Sequence, residues 1–141
     1  EAARDMAGAF DYLKGSGVTT GKIGSVGFCM GGGLSLYLAT LRPVDACVVY
    51  YGAFGPGVQP DLNNIEGAVL GHFAERDGWA SPEAAAALKQ KISDAGKQVE
   101  FHQYAGTEHA FFNDTRPEVY NADAAKLSWE RTLNFYKQHL S

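Results

Sequence analysis

Several features that would assign a class at once are missing from this sequence. Only Cys29 and Cys47 among its 141 residues are cysteine, too few for a disulfide framework and without metal-ligand spacing. Basic residues are outnumbered, 12 Lys and Arg against 16 Asp and Glu. The net charge of −4 argues against nucleic acid or an acidic membrane surface as a partner. No apolar run approaches the roughly 20 residues of a membrane span, and neither a signal peptide nor an internal repeat is visible. Neither G-x-G-x-x-G nor G-x-x-x-x-G-K-[ST] occurs. At this length, with 45% hydrophobic residues, residues 1–141 are expected to form one globular domain with a real core, with the cytoplasm as the default compartment.

What is present is concentrated in Lys22–Gly33, KIGSVGFCMGGG. A short apolar run ends in Gly27-Phe28-Cys29-Met30-Gly31, and a helical pattern follows at once. This is the G-x-S-x-G nucleophile elbow with sulfur in place of oxygen. The nucleophile rides a strained strand-to-helix turn, and its neighbours must be glycine because a Cβ would strike the tight backbone. The first N–H groups of the following helix favour a thiolate and a developing oxyanion at that point. The alternatives are a phosphate-cradling turn, which lacks the required lysine and hydroxyl after Gly31, and a cysteine packed in a core.

The rest of the chain alternates between strand and helix signals. Ala3, Met6, Ala7, Phe10 and Leu13 fall at helical spacing and predict a helix over about residues 1–15, closed by Gly15 and Gly17. Lys22–Phe28 reads as a strand, and Gly31 to about Leu41 as a helix stopped by Pro43. Ala46–Tyr51 and Ala68–Ala74 read as strands covered on both faces, and the Gly- and Pro-rich stretch between them as loop. Ser81 and Pro82 stand at N-cap and first-turn positions of a helix ending near Gly96. Gln98–Tyr104 is a fourth strand, and Ala122 to His139 a last helix with Ala125, Trp129, Leu133, Tyr136 and Leu140 on one stripe. This alternation predicts an α/β fold with a mostly parallel sheet and helices on both faces.

In such sheets ligands sit at the carboxyl ends of the strands, which sorts the polar residues. His72 and His102 lie inside predicted strands and His139 on the last helix. His109 alone follows a strand. Asp77 follows the third strand and is preferred to Glu75, because a short side chain on a fixed turn holds an imidazole without flexing. The order Cys29, Asp77, His109 matches nucleophile, acid and histidine in α/β-hydrolase sheets.

The segments KIGSVGFCMGG, GHFAERDGW and YAGTEHAFFND resemble the three signature segments of the dienelactone hydrolase family, a likeness that runs over essentially the whole chain. The resemblance implies an α/β-hydrolase three-layer sandwich cleaving a carboxylic ester or lactone. Cys29 would be the nucleophile, His109 the base and Asp77 its orienting acid, with the Met30 backbone N–H in the oxyanion hole. No metal or organic cofactor is implied. Trp79, Phe111 and Phe112 are expected to line an apolar pocket. Asn113 stands four residues after His109, where dienelactone-cleaving members place an arginine, and the aim of Arg116 is not readable.

Family members are substantially longer. By resemblance a missing N-terminal half would carry the first strands, the second oxyanion donor and a glutamate beside the thiol. The Lys22–Phe28 strand would then have an unpaired edge, so a homodimer, or a fragment of a longer chain, is expected. Two other functions are weighed: a catalytically incomplete assembly or binding module, and a redox-active thiol protein.

Overall fold

Four parallel strands, paired side by side in chain order, form the centre of the molecule. The computed structural model describes all 141 residues. Its elements are α1 (Ala2–Gly15), β1 (Gly24–Phe28), α2 (Met30–Leu41), β2 (Ala46–Tyr50), β3 (Ala68–Ala74), α3 (Pro82–Asp94), β4 (Val99–Tyr104) and α4 (Ala122–Leu140). Every predicted helix and strand is present within a residue or two. A single 3₁₀ turn at Leu62–Asn64, inside the expected loop, is the one addition.

Strand alternation decides the layers. Cys47 Sγ meets Ser35 Oγ of α2 at 3.5 Å, whereas Tyr50 Oη meets Thr132 Oγ1 of α4 at 3.1 Å. Residues 47 and 50 point to opposite faces, so α2 and α4 lie on opposite sides of the sheet. His72 likewise reaches α4, while its neighbour Phe73 shares a shallow surface groove with Pro82, Ala85 and Ala86 of α3. The result is a three-layer sandwich with α2 and α3 on one face and α4 on the other. Both inner strands are buried at every position, as their unbroken apolar runs require.

Local chemistry fixes the helix starts. Ser81 Oγ accepts the Ala84 N–H at 3.1 Å, Asn121 Oδ1 accepts the Ala124 N–H at 3.0 Å, and Pro82 stands in the first turn of α3.

The buried stripe of α4 differs from the expected one. Ala124, Ala125, Ser128, Thr132 and Phe135 face inward, while Trp129 and Leu133 are substantially exposed. Thr132 takes an inner position because Tyr50 and His72 lie beneath the helix, and Ser128 is buried with its hydroxyl turned back onto Ala125 O at 2.9 Å. Strand β1 is an edge, and Val26 and Phe28 on its α4-side face are exposed together with Trp129 and Leu133.

Candidate active site

Cys29 is the N-cap of α2, with φ 58° and ψ −120°, a left-handed conformation costly for any residue with a Cβ. The strand-to-helix reversal that forces it is closed by the Cys29 N–H on Tyr50 O at 3.0 Å and the Gly32 N–H on Cys29 O at 2.9 Å. Glycine is obligatory on the inner side of this turn. A Cβ on Gly32 would lie 2.7 Å from Tyr50 O and 3.0 Å from the Gly52 Cα, so α2 can rest on the end of β2 only without a side chain there. The thiol is left exposed at the helix N-terminus, where Met30 supplies the first N–H without a helical acceptor.

Asp77 and His109 arrive from the ends of β3 and β4. Asp77 is 4% exposed. Its Oδ1 accepts the N–H groups of Trp79 and Ala80 at 2.8 and 2.9 Å, and its Oδ2 accepts His109 Nδ1–H at 2.5 Å. Both carboxylate oxygens are thereby committed, and His109 keeps Nε2 free. Glu75, the competing acid, instead accepts the Gly106 N–H at 2.6 Å and braces the turn before His109. No hydrogen bond joins His109 to Cys29, and the ring and the thiol share Tyr51 as a neighbour. The His109 ring is held edge-on between Tyr51 at 4.9 Å and Trp79 at 5.8 Å.

An open cavity of about 410 Å³ lies beside the thiol, lined by Phe28, Cys29, Tyr51, Ala110, Phe112, Asn113 and Asp114. Phe112 is among the lining residues. Phe111 is not: it is fully buried against Tyr51 at 5.4 Å and Tyr104 at 5.2 Å. The left-handed Ala110, φ 67°, precedes this pair. It turns the first aromatic into the core and the second toward the cavity. Trp79 stands beside His109, outside the lining. Arg116 is exposed and paired with Glu118 at 3.0 Å.

Tyr51 is the residue the sequence reading missed. It follows β2 directly, at the same sheet end that singled out Asp77 and His109, and its own φ of 36° turns it into the site. Burial, with Tyr50 and Cys29 nearby, raises its phenol well above the ordinary tyrosine value, so it stays protonated.

Beneath the site a buried polar chain ties α4 to three strands. Thr132 donates its hydroxyl to Ser128 O at 2.9 Å, so Thr132 Oγ1 must accept from His72 Nε2–H at 2.9 Å and from Tyr50 O–H at 3.1 Å. His72 Nδ1 then accepts the Tyr104 O–H at 2.8 Å, and Tyr104 Oη accepts from Arg131 at 3.1 Å. Burial, helped by His102 and Arg131, pushes His72 down to about 3, which keeps it neutral. Tyr50 stacks on Phe28 at 4.6 Å and lies 5.2 Å from Phe112, so the chain supports the segments beside both Cys29 and His109. No three His, Cys, Asp or Glu residues are grouped to hold a metal ion, and no helix is long and apolar enough to cross a membrane.

The sequence profile of the dienelactone hydrolase family matches residues 1–140. A Saccharolobus solfataricus protein provisionally named carboxymethylenebutenolidase is 40% identical over 138 residues, 96% of this chain and 51% of the relative. The Rhodococcus opacus carboxymethylenebutenolidase is 33% identical over 129 residues, 84% of this chain and 50% of that protein. The fold superposes on a dienelactone hydrolase-like promiscuous phosphotriesterase from metagenomic libraries with a TM-score of 0.86, at 24% identity, over 99% of this chain and 62% of that one. The chain therefore spans about half the length of the curated relatives it matches.

Proposed function

The chain belongs to the dienelactone hydrolase family, and we propose that it carries the Cys29–His109–Asp77 machinery of a carboxylic ester or lactone hydrolase. The observation that carries this reading is the fully committed Asp77 carboxylate. With two backbone N–H groups on one oxygen and His109 Nδ1 on the other, it fixes an imidazole whose Nε2 is available to the reacting groups.

In this reading His109 Nε2 takes the Cys29 thiol proton, the thiolate adds to the ester carbonyl, and the oxyanion is met by the Met30 N–H at the start of α2. Collapse breaks the ester C–O bond and leaves the acyl group on sulfur, with His109 giving a proton to the departing alkoxide. Water then adds to the thioester as His109 takes its proton, the C–S bond breaks, and the acid leaves. The residues this chain supplies need no cofactor for these steps. The second oxyanion donor would come from outside it. Strand pairing on the open β1 edge, by a second copy or by further chain, is the assembly the reading implies, and a cytoplasmic setting suits a free thiol.

The test is p-nitrophenyl acetate turnover by this chain beside its Cys29→Ala variant, with intact mass checked for an acyl adduct. Turnover or adduct lost on substitution supports the reading. Neither in the parent chain overturns it for these 141 residues.

A further inference from the structure

We propose that the pocket beside Cys29 selects for an apolar group ending in a positive charge and against carboxylates. The inference rests on the hydrolase reading only in taking Cys29 as the reacting centre. Its warrant is the lining itself. Three aromatic residues, Phe28, Tyr51 and Phe112, bound the cavity, and the only formal charge among its lining residues is Asp114. Aromatic rings and one carboxylate in a single lining are a cation-binding combination: the ring quadrupoles and the carboxylate attract the same sign of charge.

The neighbouring charges do not undo this. Arg116, the one base in the loop, is engaged by Glu118 at 3.0 Å. Arg76 is exposed and lies outside the lining. Asp114 itself has no ion-pair partner, and Glu108, next to His109, adds a second exposed acid. Asp77 is spoken for by His109.

The loop on either side of Asp114 is braced by hydrogen bonds. The Asn113 N–H reaches Ala110 O at 2.9 Å, the Arg116 N–H reaches Asn113 O at 3.2 Å, and the Asn121 N–H reaches Phe111 O at 3.0 Å. Asn113 Oδ1 accepts both the backbone N–H and the hydroxyl of Thr115, at 3.0 and 2.7 Å. The backbone that carries Asp114 is thereby fixed beside the cavity this residue lines. Anionic acyl compounds meet repulsion there with no base in the lining to offset it.

The experiment reads charge selection at the sulfur itself, so it does not depend on ester turnover. Rates of Cys29 modification are measured with cationic trimethylammonium-ethyl and anionic sulfonato-ethyl methanethiosulfonate. In each reaction the thiolate forms a disulfide with the reagent and sulfinate departs. Each rate is divided by the reagent's rate with β-mercaptoethanol, and peptide mass confirms the site. Buried Cys47, whose thiol desolvation pushes up to about 11, does not compete.

The expected normalised cation-to-anion ratio is roughly tenfold at low salt, shrinking as ionic strength rises. Asp114→Asn should bring it toward one, and Asp114→Lys should invert it. A ratio near one in the parent chain, or one unmoved by Asp114→Asn, overturns the proposal. Matched p-nitrophenyl esters ending in trimethylammonium or carboxylate separate the two readings. Charge selection at Cys29 without turnover of either ester overturns the hydrolase and upholds the pocket; equal turnover of both without charge selection does the opposite.

Discussion

A Cβ placed on Gly27 would stand 1.7 Å from the carbonyl oxygen of Gly31. No rotamer change can relieve a clash between backbone atoms, so the strand must part from the helix before any side chain fits. Gly27→Ala is therefore expected to destabilise the chain by about 4 kcal/mol or more and to abolish soluble expression or lower the denaturant midpoint sharply. Urea unfolding followed by circular dichroism measures it, and a variant with parental stability would show that the turn is not built as described. Gly31→Ala, where a Cβ meets nothing within 4 Å, is the matched control and should fold.

The Asp77–His109 pair predicts a separation of fold from catalysis. Asp77→Asn keeps an oxygen for the Trp79 and Ala80 N–H groups but turns an N–H toward His109 or forces the wrong tautomer. We expect kcat on p-nitrophenyl acetate to fall by roughly 10³–10⁴ with KM little changed and the melting temperature close to the parent's. A kcat within threefold of the parent's would remove Asp77 from the mechanism.

Two adjacent phenylalanines should behave as opposites. Phe111→Ala empties a fully buried site and should cost about 3–5 kcal/mol of stability. Phe112→Ala trims the cavity wall, so its main effect should be on KM, with a smaller loss of stability. Paired thermal melts and steady-state kinetics distinguish them, and the prediction fails if both variants move the same quantity.

Stability toward acid should report on His72. In the folded chain its titration is pushed down to about 3, while an unfolded histidine takes its proton near 6.5. Between those values the unfolded state binds one proton more, so this contribution is complete above the unfolded value and is lost as the pH falls below it. The loss amounts to about 2 kcal/mol by pH 5. His72→Leu should lose about 1–3 kcal/mol at pH 7, because Thr132 and Tyr104 forfeit a partner, and then lose less on going to pH 5. Urea titrations at the two pH values give the comparison. An unchanged pH 7 to pH 5 difference in the variant would rule His72 out.

Much of this architecture was legible in the sequence because its causes are local. The elbow needs Gly27 and Gly32 at fixed offsets from Cys29, though not the expected Gly31, where a Cβ meets open space. Buried parallel strands need unbroken apolar runs, and Ser81 with Pro82 announces a helix start, so these causes lie within a few residues of their effect. Asp77 and His109 could be singled out because strand ends collect at one edge of a parallel sheet. Three features were not legible. Thr132 faces inward because Tyr50 and His72, far away in the chain, offer it partners. The choice between Phe111 and Phe112 turns on a left-handed Ala110 that alanine does not advertise. Tyr51 met the same positional rule as the acid and the histidine, yet it reads as the last residue of an apolar strand.

Each proton in the run from Arg131 through Tyr104, His72 and Thr132 to the Ser128 carbonyl, with Tyr50 as a second donor to Thr132, has one place to go. That bears on how such an interior can change over evolutionary time. Exchanging Tyr104 for phenylalanine strips His72 of its donor, exchanging His72 strips two neighbours at once, and replacing Thr132 by valine strands both His72 and Tyr50. Every single step passes through a worse protein, whereas an apolar set substituted together would leave nothing unsatisfied. Arg131, Tyr104, His72, Thr132 and Tyr50 can be expected to drift as a block or hardly at all.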